Sequence, residues 1–540
     1  MGVRERGWLL FGALAVAGAV ASVLFMKPVL VAPVSGDDRV WYPQVGALES
    51  YNVGDEVGQL PRWWMKRTQN GRVNVLTQFE RRAAGRVVVE TSVDTGAPTY
   101  LVHGVLKLLL SALAVLTLAA LLKSLRCRRR DGGLVRLSGR TVALCTLVGG
   151  VLFALGSQPP FHDVNGRNGW VNYPTHTYGA VVSILGVTAL VLWLTRLYAE
   201  GRFRIPIVLG LVFLAVVTNF RYELVFPAGP LALIALLLVP VTSKERAAEG
   251  RRAKWVTGIS FVGVFMTMLV VLRVYLRQLC ANDVGGCYLG VTPRLSWQIP
   301  GTFWDNVSSS VPGTTAPRVV EFVENSGISS DGMYTPTPWS VVVGGVMALV
   351  LLAAWWSARP GTVREPVTDD EPPVDDGIAR GSDEGRLLGL AALLCFLGAV
   401  GAAGVMSLSV SAQDTTQLGL PYRNTVVTWA GVAWALGVGA LALRHRSPRA
   451  TAAAWMVLSV AVGVAAACLL PANERSLIAD RVDTQATTAA FAALVNGDLS
   501  EDANAHRCRL LPKIVEERDH AALHFDAAFQ RHWGQDFCRR

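Results

Sequence analysis

The sequence predicts an all-α, polytopic membrane protein of about eleven transmembrane helices, with a small β-hairpin in the first outer loop and a small helical outer C-terminal segment. Three observations predict it. Of the 540 residues, 51% are hydrophobic and only 17% charged, where a soluble chain carries about 25%. The apolar residues fall into blocks of roughly 18–25, the length that crosses about 30 Å of hydrocarbon as a helix. Basic residues recur in every second connection between blocks, as the positive-inside rule requires.

The spans read, in order, 8–29, 103–123, 140–157, 178–197, 205–219, 225–241, 255–276, 339–357, 387–411, 425–443 and 451–470. Arg4 and Arg6 precede the first. Its basic start and small residues resemble a signal peptide, but the apolar run is long enough to stay as a helix, so residues 1–33 are taken as an uncleaved span. Between spans two and three lie Lys123, Arg126, Arg128, Arg129, Arg130, Arg136 and Arg140. Arg196, Arg202 and Arg204 follow span four, and Lys244, Arg246, Arg251, Arg252 and Lys254 follow span six. Arg359, Arg364, Arg380 and Arg386 follow span eight; Arg444, Arg446 and Arg449 follow span ten. The expected N-terminus is cytoplasmic, and an odd number of crossings of the plasma membrane puts the C-terminus outside. The net charge of +10 sits mostly in these short loops, so it sets topology and does not indicate a nucleic-acid partner.

The polar mass lies in three outer segments, 34–102, 277–338 and 471–540, around the span blocks 103–276 and 339–470. The cytoplasmic stretch 358–386, Pro- and Asp-rich over Thr368–Asp376, reads as a disordered linker. Arg72–Phe79 and Arg86–Val93 alternate and are β-branched, separated by Arg81–Gly85, which predicts the hairpin. Ile478–Val495 and Ile514–Trp533 have helical patterning. Cys280 with Cys287, and Cys508 with Cys538, fall in outer segments, where disulfides persist.

The spans hold few ionisable groups, which argues against ion-coupled transport and for chemistry at the outer interface. Asp37 and Asp38, just after the first span, can supply a general base through mutual repulsion, or hold a divalent cation such as Mg²⁺ or Mn²⁺ through oxygen ligands. The bland alternative is a solvated acidic turn. No feature requires a metal. The loop after span three brings His162, Asp163, Trp170 and Tyr173 to the start of span four at His176; turn formation is its bland reading. Arg221 and Arg423 sit in outer turns, where Arg holds phosphate bidentately or simply snorkels. Lys107 lies one turn inside span two, where an anionic partner would solvate it. Trp170 and Tyr173 could stack on a sugar ring.

Many spans, an acidic pair just after the first helix, a large first outer loop and a polar outer cap together resemble the GT-C superfamily of membrane glycosyltransferases. The run Pro33-Val34…Asp37-Asp38…Trp41-Tyr42-Pro43-Gln44 also resembles the start of the outer domain in the actinobacterial cell-wall arabinosyltransferases. That likeness would favour Asp163, because that family keeps its acid after the third span. This chain departs from the family in its shorter first loop, in having no Asp-Asp after span three, and in lacking a large C-terminal carbohydrate module. The resemblance implies transfer of a sugar from a polyprenyl-phosphate donor to a cell-envelope glycan or lipid acceptor. Asp37, Asp38 or Asp163 would be the base, and Arg221, Arg423, Lys107, His162 or His176 would meet the phosphate. The rival readings are an O-antigen-type polymerase or ligase, relying on Arg221, His162 and His176, a non-enzymatic lipid or glycan transporter, and a membrane scaffold.

Overall fold

The computed structural model describes residues 3–35, 38–47, 57–62, 64, 72, 74–158, 170–171, 174–282, 293–357, 376–379, 381–420, 423–445, 447–517 and 521–539. In chain order the helices are α1 (Val3–Leu30), α2 (Asp38–Gly46), α3 (Val75–Thr95) and α4 (Thr99–Ser124). Strands β1 (Cys127–Arg128) and β2 (Leu134–Arg136) follow, then α5 (Gly139–Leu155), α6 (Pro174–Ala199), α7 (Arg204–Asn219) and α8 (Ala228–Leu238). Helix α9 (Ala247–Gly258) continues through a π-helical turn, Ile259–Gly263, into α10 (Val264–Asn282). After it come α11 (Ile299–Ser308), α12 (Ala316–Asn325), α13 (Pro338–Ser357), β3 (Asp376–Ile378), α14 (Ser382–Ser407) and α15 (Val410–Thr415). The chain closes with α16 (Thr425–Arg444), α17 (Pro448–Asp483), α18 (Gln485–Asn496), α19 (Glu501–Glu517) and α20 (Ala521–Trp533).

Among the described residues, eight helices are long and apolar enough to cross a membrane, and Gly139–Leu155, Arg204–Asn219 and Glu223–Leu238 are shorter apolar helices. Leu109, Leu116, Phe213, Leu237 and Val457 are largely exposed on these helices, an arrangement stable only against lipid. The chain is a multi-pass membrane protein. Small residues let the helices approach: a Cβ on Gly344 of α13 would meet the Gly463 carbonyl of α17 at 2.2 Å. Buried indoles tie the spans by donating to helix carbonyls, Trp429 to Leu152 at 2.8 Å, Trp434 to Gly149 at 3.0 Å and Trp455 to Leu351 at 2.8 Å.

Contacts sort the connections into two ends. At the basic end, Lys244 N donates to Gly132 O (3.0 Å), Arg246 to Ala199 O (2.9 Å) and Arg140 to Ser357 O (2.9 Å). A small sheet, β1 antiparallel to β2 and β2 parallel to β3, also lies there. Exposed Trp193, Trp255 and Trp356 lie on helices near it, as in an interfacial aromatic belt. At the opposite, cap end, α2, α3 and the helices after α17 share a second core of Tyr42, Val88, Phe491, Phe525, Phe529 and Phe537.

Three expectations change. Residues 75–95 form one helix and no hairpin. Its buried positions Gln78, Arg81, Ala84, Gly85, Val88, Val89 and Ser92 repeat at helical spacing, and in the tract Arg81–Gly85 the first four residues, two arginines and two alanines, are helix formers. Gly96, at φ 69°, is the left-handed residue that ends it. The boundary at 470 also dissolves, because α17 runs from Pro448 to Asp483 through Pro471. In the linker, Asp376–Ile378 is ordered as β3, and 358–375 lie outside the described residues. Cys508 and Cys538 are joined as expected. Cys280 is disulfide-bonded, and its expected partner Cys287 falls outside the described residues.

Candidate functional site

Two consecutive residues of α3 lead into two different charged clusters at the cap end. Successive helix residues point about 100° apart, so Arg81 and Glu80 face different neighbours.

Arg81 faces inward. Its Nε and Nη2 meet Asp38 Oδ1 at 3.0 and 2.9 Å, and its guanidinium lies 4.9 Å from the Trp41 ring centroid. Asp38 opens α2, where a carboxylate suits the helix dipole. Behind it lies Lys107, fully buried, whose Nζ donates to Val29 O at 3.0 Å. That carbonyl belongs to the last turn of α1, where carbonyls lack helical partners. Asp480 of α17 and Asp38 both act electrostatically on the Lys107 ammonium. Asp38 and Asp480 are each 1% exposed, so two buried carboxylates face two buried cations. Burial pushes the Tyr42 hydroxyl well above its usual range; Asp38 adds to this and Arg81 opposes it. His103, one turn before Lys107, is buried edge-on to Tyr42 at 5.4 Å, and neither ring nitrogen has a hydrogen-bond partner among the described residues.

Glu80 faces the turn between α7 and α8. Its Oε1 accepts from Arg221 Nη2 at 2.5 Å, with the two side chains 24% and 21% exposed. Arg221 also donates to the Ser183 hydroxyl. Burial raises the Glu80 carboxyl above its ordinary range, and Arg221 opposes that shift. Tyr222 is the centre of the cluster: Arg423 Nη1 donates to its hydroxyl at 3.1 Å, and the His176 ring meets it edge-on at 5.2 Å. Leu76 N donates to Phe220 O at 3.0 Å, which pins α3 to this turn.

The next residue, Glu223, stands with Arg273 at the mouth of a groove of about 510 Å³. The Arg273 guanidinium lies 5.0 Å from the Phe226 ring centroid. The groove lies between α8, α10 and α14 and is lined by Pro227, Leu231, Ile234, Leu269, Leu397 and Gly401. From Phe226 to Ile234 it follows the helix for roughly 12 Å. Its volume lies in the range that holds ligands, and its walls are almost wholly apolar. Guanidinium groups beside an apolar groove can hold a phosphate and the chain attached to it.

Of the expected site residues, Arg423 and His176 meet Tyr222, while Arg221, the residue before it, pairs with Glu80 and Ser183. Asp38 and Lys107 join the other cluster. Asp37, His162, Asp163 and Tyr173 lie outside the described residues. Trp170 is corrected: it is fully buried against Phe153 at 5.2 Å and Tyr178 at 5.9 Å, so it has no face for a sugar. Sequence reasoning missed Glu80, Arg81, Asp480 and Tyr222. Glu80 and Arg81 were hidden by the hairpin reading, although Gln78, Arg81 and Ser92 recur at helical spacing on one side. Among the described residues, no three His, Cys, Asp or Glu side chains form a metal-holding group. Compared with known proteins, the chain matches no family model, no curated protein and no solved structure.

Proposed function

We propose that the chain is a membrane glycosyltransferase that moves a sugar from a polyprenyl-phosphate donor to a cell-envelope acceptor at the cap end. The observation that carries the reading is that Arg423 and His176 meet Tyr222, with the Arg221–Glu80 pair on the residue before it and an apolar groove lined by Glu223 and Arg273 on the residue after it. The chain crosses the membrane eleven times, the three shorter apolar helices included, with the N-terminus cytoplasmic and the cap outside. The alternation of basic connections and the sorting of loops into two contacting sets support that topology.

In this reading the polyprenyl chain lies in the groove and its phosphate reaches Arg221 and Arg423. An acceptor hydroxyl attacks the anomeric carbon, the bond from that carbon to the phosphate oxygen breaks, and lipid phosphate leaves with the electron pair. The acceptor proton passes to a carboxylate. Glu80 is a carboxylate beside Arg221; Asp37 and Asp163, the further candidates from the sequence, lie outside the described residues. The two arginines act by stabilising the leaving phosphate. Asp38, buried and held by Arg81, orders the cap in this scheme.

The test is release of polyprenyl phosphate by the purified protein in nanodiscs, given polyprenyl-phosphate-linked pentoses and hexoses and an envelope glycan acceptor. Transfer that Arg221→Ala abolishes supports the reading. Polymerisation of diphosphate-linked oligosaccharides, with no turnover of monophosphate donors, would favour the polymerase or ligase instead. Movement of labelled lipid across the bilayer without bond cleavage would favour a transporter.

A further inference from the structure

The segment from Pro293 to Val311, which holds α11, has its polarity reversed relative to a water-facing helix. Its inward residues are polar: Thr302, Asn306, Ser309 and Ser310 are 6%, 1%, 0% and 1% exposed. Its most exposed large side chains are apolar, with Gln298 the polar exception: Leu295, Trp297 and Trp304 are 87%, 100% and 67% exposed. A helix surrounded by water would bury the tryptophans and expose the serines, because burying an indole stabilises by several kcal/mol.

Hydrogen bonds hold the inward face rigidly. Asn306 Nδ2 donates to Ser407 Oγ at 3.2 Å, Gln158 Nε2 to Ser309 O at 2.5 Å, and Gly419 N to Ser309 Oγ at 3.0 Å. Arg294 donates to Gln413 at 2.7 Å and to Asp414 at 2.6 Å, and Gln413 Nε2 donates back to Arg294 O at 2.7 Å. The level of the segment follows from one of these bonds. Ser407 is the last residue of the apolar helix α14, the point at which a span leaves hydrocarbon. Pro293 pairs with Ser409 just beyond it, and both residues line the apolar groove.

We infer that Pro293–Val311 is an interfacial anchor whose partner is the lipid monolayer, with Leu295, Trp297 and Trp304 inserted at the headgroup–acyl boundary. Tryptophan prefers that depth because its ring is apolar and its N–H remains near polar groups. The anchor holds the groove at the membrane surface. The inference needs only the exposure and position of the segment, and it stands whether or not the protein transfers sugars.

The test is site-directed spin labelling of the full chain in vesicles of phosphatidylcholine and phosphatidylglycerol. Labels go on Trp297→Cys, Trp304→Cys and Leu295→Cys, with Cys127 and Cys468 changed to serine and Lys513→Cys as the water-facing control. At the three anchor positions, collision with membrane-soluble oxygen is expected to exceed collision with a water-soluble nickel chelate; at Lys513→Cys the order is expected to reverse. Nickel access equal to the control at all three sites would overturn the inference. So would exclusion of both reagents, which would mean that a protein partner or a second copy covers the segment. Each label sits on a side chain with few protein contacts, so three independent variants guard against one that does not fold.

Discussion

The cluster reached from Arg81 and the cluster reached from Glu80 differ in what their charges are for. The first is sealed: Asp38, Asp480, Lys107 and Arg81 are all at least nine-tenths buried, and two carboxylates balance two cations. Desolvation consumes most of the attraction in such a set, so its principal effect is to specify one arrangement of α1, α2, α3, α4 and α17. The second is open: Glu80 and Arg221 are about a fifth exposed, and the cluster adjoins a groove. Neighbouring positions on one helix therefore enter a sealed and an open charged cluster separately. The lesson is that charge at a membrane surface has to be sorted by burial and partners before it is assigned to a reaction.

The strongest way to break this distinction is Lys107→Met. It removes a cation on which Asp38 and Asp480 both act, and removing one member of a buried ionic set costs about 3–5 kcal/mol. The thermal midpoint of the detergent-solubilised protein is expected to fall sharply, and adding Asp480→Leu is expected to restore part of it. An unchanged midpoint in the single variant would show that the first cluster does not hold the cap together. Arg221→Ala is expected to do the reverse, lowering transfer by roughly 10²–10³, the scale of a lost donor to developing charge, while the midpoint moves little. Equal losses of stability and activity would erase the contrast.

Reduction of the Cys508–Cys538 bridge, which closes 30 residues, sharpens the comparison from a third side. It is expected to destabilise the cap by about 3 kcal/mol, read as faster proteolysis after Asp483 with the spans intact. Tyr222→Phe removes only the hydroxyl that accepts from Arg423. One such bond contributes about 1–3 kcal/mol, so roughly a tenfold loss of transfer is expected without a change in the midpoint. The smallest effect is in pH. The Glu80 carboxyl is raised in the folded protein, so the native state holds that proton more tightly than the unfolded chain does. Its contribution to stability is therefore present at low pH and declines as pH rises past the ordinary carboxylate range. If Glu80 is the base, the acid limb of the rate profile lies above that range, and Glu80→Gln removes the limb together with most of the rate. A limb that persists in Glu80→Gln would assign the base to another carboxylate.

Most of the bundle was legible in the chain because an apolar run of about 20 residues has one stable outcome in hydrocarbon. The cap was harder. In 75–95 the valines invited a strand reading, since β-branched residues suit a pleated surface, and only the burial of every third or fourth residue decided for a helix. Lys107 drew notice as a cation inside a span, yet its partner Asp480 lies 373 positions further on and no local pattern links them. Trp170 read as a ring that could stack on a sugar because it follows a polar loop, but Phe153 of α5 and Tyr178 of α6 pack against it. Arg221 and Arg423 were recognisable singly as arginines in outer turns; that one would pair with Glu80 and the other with Tyr222 was not.

By itself the sequence determined that the chain carries helices apolar enough to cross a membrane and roughly where they lie, because water and hydrocarbon act on each segment wherever its neighbours are. Tertiary structure alone decided which carboxylates are neutralised, which arginines stand beside a groove, and that a row of tryptophans faces outward. Those outcomes depend on distances between residues far apart in the chain, and such distances exist only once the helices have packed.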